Sequence, residues 1–118
     1  MSLSSELLKE PGVIAAGLYS RKYLIRELEG PYSSDDGVKI ATFCAAITQI
    51  MEKQGLLLDR LAQTSGWENC LGWAMWGDET SLISIGESMC VFHTQTTSLN
   101  SLVSLMMANR NSIDVRQG

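Results

Sequence analysis

Cys70-Leu71-Gly72-Trp73-Ala74-Met75-Trp76, Ser81-Leu82-Ile83-Ser84-Ile85 and Met89-Cys90-Val91-Phe92-His93-Thr94 are three short apolar runs, parted only by Gly77-Asp78-Glu79-Thr80 and Gly86-Glu87-Ser88. Each run has the length of a strand, and each spacer has the Gly and acidic residues of a tight turn. Three strands joined by tight turns must run antiparallel. An antiparallel meander places the chain among sheet-containing folds.

Upstream lies a long segment rich in apolar residues. Ser33-Ser34-Asp35-Asp36 supplies capping oxygens and first-turn carboxylates for its start, and Gln63-Thr64-Ser65-Gly66 closes it. The spacing predicts a helix with two apolar stripes. One is Ile40, Cys44, Ile47, Met51 and Leu58; the other is Phe43, Ile47, Ile50, Leu57 and Leu61. A helix on the outside of a monomer needs a single stripe. The second stripe therefore implies a further contact. Gly55 inside this helix marks a kink, a break or a close backbone crossing.

Further upstream, Val13 to Tyr19 reads as a strand of small apolar residues without alternation, hence a central strand buried on both faces. Ser20-Arg21-Lys22 turns it into a second strand over Tyr23 to Leu28, ended by Gly30-Pro31-Tyr32. A short helix over residues 2–10, with Leu3, Leu7 and Leu8 on one side, precedes it and stops at Pro11-Gly12. Downstream, Thr97-Ser98 caps a last helix carrying Leu99, Leu102, Val103 and Met106, with a stop expected at Asn109. The expected architecture is α+β: a five-stranded antiparallel sheet with helices on both faces, in the order α-β-β-α-β-β-β-α. One domain is expected over residues 1–109, with 110–118 as a flexible tail.

Composition bounds the function. The chain has 118 residues, 45% hydrophobic and 19% charged, the values of one globular domain. Nine basic against thirteen acidic residues give a net charge of −4, a poor basis for gripping nucleic acid or an anionic membrane. Spans long enough to cross a bilayer are absent, and the start has no signal-peptide core, so a cytoplasmic location is expected. Cys44, Cys70 and Cys90 are scattered and odd in number, and are read as reduced. Exposure would make any of the three a candidate reactive thiol.

The sequence contains no defensible catalytic set. His93 is the only histidine. Its distance of three from Cys90 puts the two on opposite faces of a strand, against a Cys/His dyad. One His and scattered Cys have no metal-ligand spacing, and no cofactor is expected. Asp35-Asp36 fits a helix start, Asp78-Glu79 fits a turn, and Glu6 with Glu10 fits a solvated helix face. Arg21-Lys22 beside Tyr19 and Tyr23 is too small for a nucleic-acid footprint. No G-x-x-x-x-G-K-[ST], G-x-G-x-x-G or G-x-S-x-G occurs. Trp73 and Trp76, odd-spaced in the third strand, are expected on opposite faces, one in the core and one facing a helix, partner or ligand.

The element order, the stretch Leu7-Leu8-Lys9-Glu10-Pro11-Gly12-Val13-Ile14-Ala15-Ala16-Gly17, and the later Leu71-Gly72-Trp73-Ala74-Met75-Trp76-Gly77 and Ile85-Gly86-Glu87-Ser88-Met89 resemble the roadblock/LC7-like family of profilin-like folds. The resemblance spans about residues 2–108. The first hairpin departs from it, with Ser20-Arg21-Lys22 where a Gly-containing turn is common. The resemblance implies a non-enzymatic homodimer in which the middle helix packs on its mate and the third strands meet edge to edge. Such platforms bind proteins, often small GTPases or motor subunits. The residues implied at the dimer or partner interface are Phe43, Ile47, Ile50, Met51, Leu57, Trp73 and Trp76.

The likeness is to small prokaryotic roadblock-like proteins of unknown function, some of them encoded beside heterodisulfide-reductase-like sulfur-oxidation subunits. Two alternatives to the platform follow. One is a small-ligand or thiol-redox sensor domain, with Cys44, Cys70 and Trp73 lining a pocket between sheet and helix. The other is an accessory subunit of a sulfur-oxidation assembly, with a redox-complex subunit as partner.

Overall fold

Two helices lie on one face of a five-stranded sheet and one long helix lies on the other. The structure, a computed structural model, describes residues 3–20, 24–67 and 70–117, with side chains to Asn109. The order is α1 (Leu3–Leu8), β1 (Val13–Tyr19), β2 (Ile25–Glu29), α2 (Ser34–Ala62), β3 (Gly72–Trp76), β4 (Thr80–Ile85), β5 (Ser88–His93) and α3 (Leu99–Gln117). This is the α-β-β-α-β-β-β-α order that the turn signals predict.

The strands are arranged β2-β1-β5-β4-β3, every neighbouring pair antiparallel. The small-residue strand β1 lies inside the sheet between β2 and β5, and its last five residues are buried, as its lack of alternation predicts. The meander folds as read: Trp76 pairs with Ser81, and Ile85 with Ser88 around the two-residue turn Gly86-Glu87. Gly86 has φ +61°, a left-handed backbone that a hairpin turn of this length requires and glycine adopts without strain. Of the first hairpin, the Ser20 amide donates to Leu24 O. Arg21 and Lys22 of the expected turn, and Tyr23 of the expected strand, lie outside the described residues.

Strand alternation sends successive side chains to two separate cores. Toward α1 and α3 point Ala16, Leu18, Ile83, Ile85, Cys90 and Phe92, packed on Leu3, Leu7, Leu102 and Met106. Toward α2 point Tyr19 and Met89, packed on Ala41, Cys44 and Ala45, with Trp73, Leu82 and Val91 at the margin. Cys90 is buried and His93 exposed, so the two do not meet, in keeping with strand geometry.

Helix α2 begins where the capping residues predict. Ser33 is extended and its Oγ accepts from the Asp36 amide at 3.2 Å, with Asp35 and Asp36 in the positive first turn. The helix runs 29 residues, unbroken at Gly55, and ends at Gln63 in the left-handed conformation. Helix α3 passes through Asn109 rather than stopping there: Asn109 Nδ2 donates back to Leu105 O at 2.8 Å, and the helix continues to Gln117. Among the described residues no helix is long and apolar enough to cross a membrane.

Candidate functional site

The side of α2 that touches the sheet is made of small residues. Gly37, Ala41, Cys44, Ala45, Thr48, Gly55 and Asp59 are the buried positions, recurring every three, four or seven residues as one helical stripe. The bulky residues of the first predicted stripe are not there. Only Cys44 of that stripe is buried; Ile40 and Ile47 are half-buried, and Met51 and Leu58 are exposed. The physical reason is space. The sheet already supplies Tyr19, Met89 and Trp73 to this layer, so the helix must contribute small side chains to lie close. At Gly37 an added Cβ would press on Leu28 at 3.0 Å.

A hydrogen-bonded cluster locks this contact. Thr48 Oγ1 donates to Cys44 O at 2.8 Å and accepts from Trp73 Nε1 at 2.9 Å. The buried Tyr19 hydroxyl sits between Thr48 and Ser84, and Ser84 Oγ donates to Ser88 O at 3.0 Å. Burial pushes the Tyr19 phenol up from its ordinary range, against the opposing pull of its hydroxyl partners. Every polar atom in this cluster is partnered, which fixes α2 to β1, β3 and β4.

The opposite side of α2 carries the large apolar residues. Phe43, Ile50 and Leu57 stand seven residues apart, with Leu61 one turn further on, and all are exposed; Ile50 is 49% exposed and Leu61 73%. This is the second predicted stripe. Beside it Met51 and Leu58 line a hollow together with exposed Trp67 and Leu71, and Met75 of β3 is exposed as well. Phe43 meets Trp73 edge-on, ring centroids 6.3 Å apart. Thus six of the seven predicted interface residues gather on the α2 side of the molecule. Trp76 does not join them. It belongs to the same edge strand but points to the α1/α3 side, where it meets Phe92 edge-on at 6.5 Å and stays 56% exposed. Among the described residues strand β3 has one paired neighbour, β4, and its other edge is without strand pairing.

Two of the hollows beside α2 bear on its outward side. One, about 510 Å³, lies by its N-terminal half, floored by Leu82 and Val91 and walled by Ile40 and Phe43, with Tyr32, Asp36 and Lys39 at its rim. The other, about 460 Å³, lies by its C-terminal half, with Met51, Gly55 and Leu58 on one side and Ser65, Trp67, Cys70 and Leu71 on the other. Gly55 is buried here, and the helix runs through it without a break. The buried Asp59 carboxylate holds the chain just beyond α2 by accepting from the Trp67 amide at 3.1 Å and from Thr64 Oγ1 at 3.4 Å. Leu61, Trp67, Leu71 and Met75 were outside the predicted interface set; the cluster Leu56-Leu57-Leu58 beside Leu61 was the available signal.

The three thiols are placed differently. Cys44 and Cys90 are fully buried, and burial pushes both up to about 12. Their reactive thiolate is absent at neutral pH. Cys70 is half-buried, lines the second hollow and lies 3.3 Å from Gly72 O. Cys44 therefore sits in the α2 core and does not line a pocket as expected, and Trp73 is engaged by Phe43 and Thr48. Among the described residues no group of three or more His, Cys, Asp or Glu is placed to hold a metal ion.

This architecture is that of Roadblock/LC7 domains. A Roadblock/LC7 domain from Streptomyces avermitilis superposes with a TM-score of 0.73 at 16% identity, over 94% of each chain. Myxococcus xanthus MglB gives 0.72 at 16% identity, over 94% of this chain and 88% of that one. A structure described as MglB with tetrameric arrangement gives 0.75 at 18% identity, over 93% and 81%. At such identities the likeness is one of fold. No curated protein matches the sequence. Residues 4–108 match the family described as "Uncharacterized conserved protein (DUF2173)", and the chain belongs to that family.

Proposed function

We propose that this protein is a non-catalytic platform that pairs with a second copy and presents the joined surface to other proteins. One observation carries the reading: α2 turns its small residues to the sheet and its large apolar residues to solvent. A soluble monomer gains nothing from exposing a contiguous row of Phe43, Ile50, Leu57 and Leu61; such a patch marks an interaction surface. Each large aliphatic side chain buried on pairing contributes roughly 1.5–3 kcal/mol before the cost of association is subtracted. The edge of β3, unpaired among the described residues, adds a second means of contact, strand against strand. An MglB of the same fold assembles in a tetrameric arrangement, which supports self-association here.

A Cys90/His93 dyad has no support from the side-chain placement, since Cys90 is buried and His93 exposed. The partner classes implied by the family resemblance are a small GTPase and a redox-complex subunit, and the cytoplasm is the compartment this reading takes. The test is Ile50→Glu. We expect the variant to sediment as a folded monomer at concentrations where the unaltered chain is a dimer; an unchanged dimer would sink the reading.

A sensor remains the second reading, favoured by one observation: Cys70 alone of the three thiols lines a hollow and is accessible. If that hollow takes a ligand, the ligand slows modification of Cys70 by a thiol reagent. A Cys70 that labels at one rate whatever small molecules are added counts against it.

A further inference from the structure

Asp59 is a buried carboxylate where a helix has least use for one. It lies in the last turn of α2, 8% exposed, at the negative end of the helix dipole. Burial there is unfavourable unless hydrogen bonds offset it. The bonds reach forward along the chain. Asp59 Oδ1 accepts from the Trp67 amide at 3.1 Å and from Thr64 Oγ1 at 3.4 Å, and the Asp59 carbonyl oxygen accepts from the amides of Gln63 and Thr64. The stretch so held has no side chain in a core: every residue from Leu61 to Trp67 is exposed. Gly66 within it has φ +109° and open space where a Cβ would stand. Yet Ser65, Gly66 and Trp67 form one side of the 460 Å³ hollow, across from Met51 and Leu58, and Cys70 lines the same hollow.

We infer that residues 64–67 are a lid on this hollow, latched by the Asp59 carboxylate, and that releasing the latch lets molecules too large for the closed hollow reach Cys70. The lid's role as a gate rests on the sensor reading and names what regulates entry to that site. Three arguments carry it. First, one carboxylate takes a hydroxyl from the start of the segment and an amide from its end, so a single side chain fixes both. Second, hydrogen bonds to a carboxylate are about twice as strong as neutral ones, while a segment without buried side chains opens locally at far lower cost than a core. Third, the body beneath the lid is fixed. Helix α2 is tied to the sheet by the Tyr19, Thr48 and Ser84 hydroxyls and by the Trp73 indole, so opening is confined to the segment beyond the helix.

Two thiol reagents of different size test the lid on the full-length protein. The probes are iodoacetamide and the bulkier fluorescein maleimide, with modification of Cys70 followed by peptide mass spectrometry. We expect Asp59→Ala to raise the maleimide rate about tenfold, the shift that loss of one hydrogen bond to a charged group gives. The iodoacetamide rate should change by less than about twofold. Asp59→Asn keeps an acceptor for the Trp67 amide and should restore most of the original selectivity. Thr64→Val alters an exposed residue, removes one donor only, and should raise the maleimide rate about threefold. It carries the test if Asp59→Ala does not fold. Amide exchange over residues 64–67 should quicken in step with the maleimide rate, while exchange over residues 41–48 stays unchanged. Unchanged maleimide rates in the variants would overturn the lid. So would a rise with both reagents alike and faster exchange throughout α2, which is loss of structure and not the opening of a lid. The sensor reading is scored separately. A small molecule that slows Cys70 labelling while the variants change nothing keeps that reading and removes the lid. Variants that behave as expected, with no small molecule slowing the labelling, keep the lid and count against the sensor.

Discussion

The two faces of one sheet are finished in opposite ways. On the α1/α3 face, large meets large: Phe92 and Ile83 pack on Leu7, Leu102 and Met106, and little of these side chains reaches solvent. On the α2 face, the sheet's Tyr19 and Met89 meet alanines, glycines and a cysteine, and the helix keeps its bulk on the far side. The first face is a core completed by one chain. The second is a thin core beneath an unfinished surface. The difference teaches that apolar side chains on a helix are not interchangeable evidence of burial: the small ones at close spacing mark the inner contact, and the large ones mark where a second contact is due.

The largest expected effect strikes both faces together. Cys44 on one and Cys90 on the other are held as neutral thiols up to about pH 12, against an ordinary value of 9. The unfolded chain ionises them earlier, so above pH 9 it holds fewer protons than the folded protein. Their contribution is therefore complete below pH 9 and is lost as pH climbs toward 12. Two such groups give a fall in stability on the order of 2–3 kcal/mol per pH unit in that window. Denaturant titrations from pH 8 to 11 should show this slope. Cys44→Ala and Cys90→Ala should each remove about half of it, dividing the effect between the faces.

Breaking one face alone should separate stability from association. Phe92→Ala should cost about 3–5 kcal/mol of unfolding free energy while any dimer keeps its strength among the folded molecules. The converse change, Leu57→Ser, should weaken pairing by roughly 2 kcal/mol and leave monomer unfolding within about 0.5 kcal/mol. If both variants altered both quantities alike, the contrast between the faces would be false. A smaller effect sharpens the α2 side. Ser33→Ala removes the oxygen that accepts from the Asp36 amide, and should lower stability by about 1 kcal/mol in thermal or denaturant unfolding. The smallest concerns chemistry: a thiol reagent should modify Cys70 in the native protein, and Cys44 and Cys90 only on unfolding.

Much of this was legible in the chain. Gly77 to Thr80 and Gly86 to Ser88 marked the meander, Ser33 to Asp36 marked the start of α2, and the even spacing of Phe43, Ile50 and Leu57 marked the outward stripe. The inner stripe was hidden because hydrophobicity ranks Ile40, Met51 and Leu58 above Gly37, Ala41 and Thr48, while the sheet leaves room only for the latter. The hydroxyl cluster of Tyr19, Thr48 and Ser84 was hidden for another reason. Its members lie up to 65 positions apart and meet only when β1, α2 and β4 are stacked. The course of α3 past Asn109 was missed because asparagine serves two ends, as a left-handed stop or, as here, bonded back to the preceding turn.

Sedimentation velocity of the unaltered protein over a wide concentration range tests the central claim most directly. A dimer that persists to low concentration and dissociates in Ile50→Glu is the predicted result. A monomer at every concentration, with Phe43, Ile50 and Leu57 exposed throughout, would contradict it.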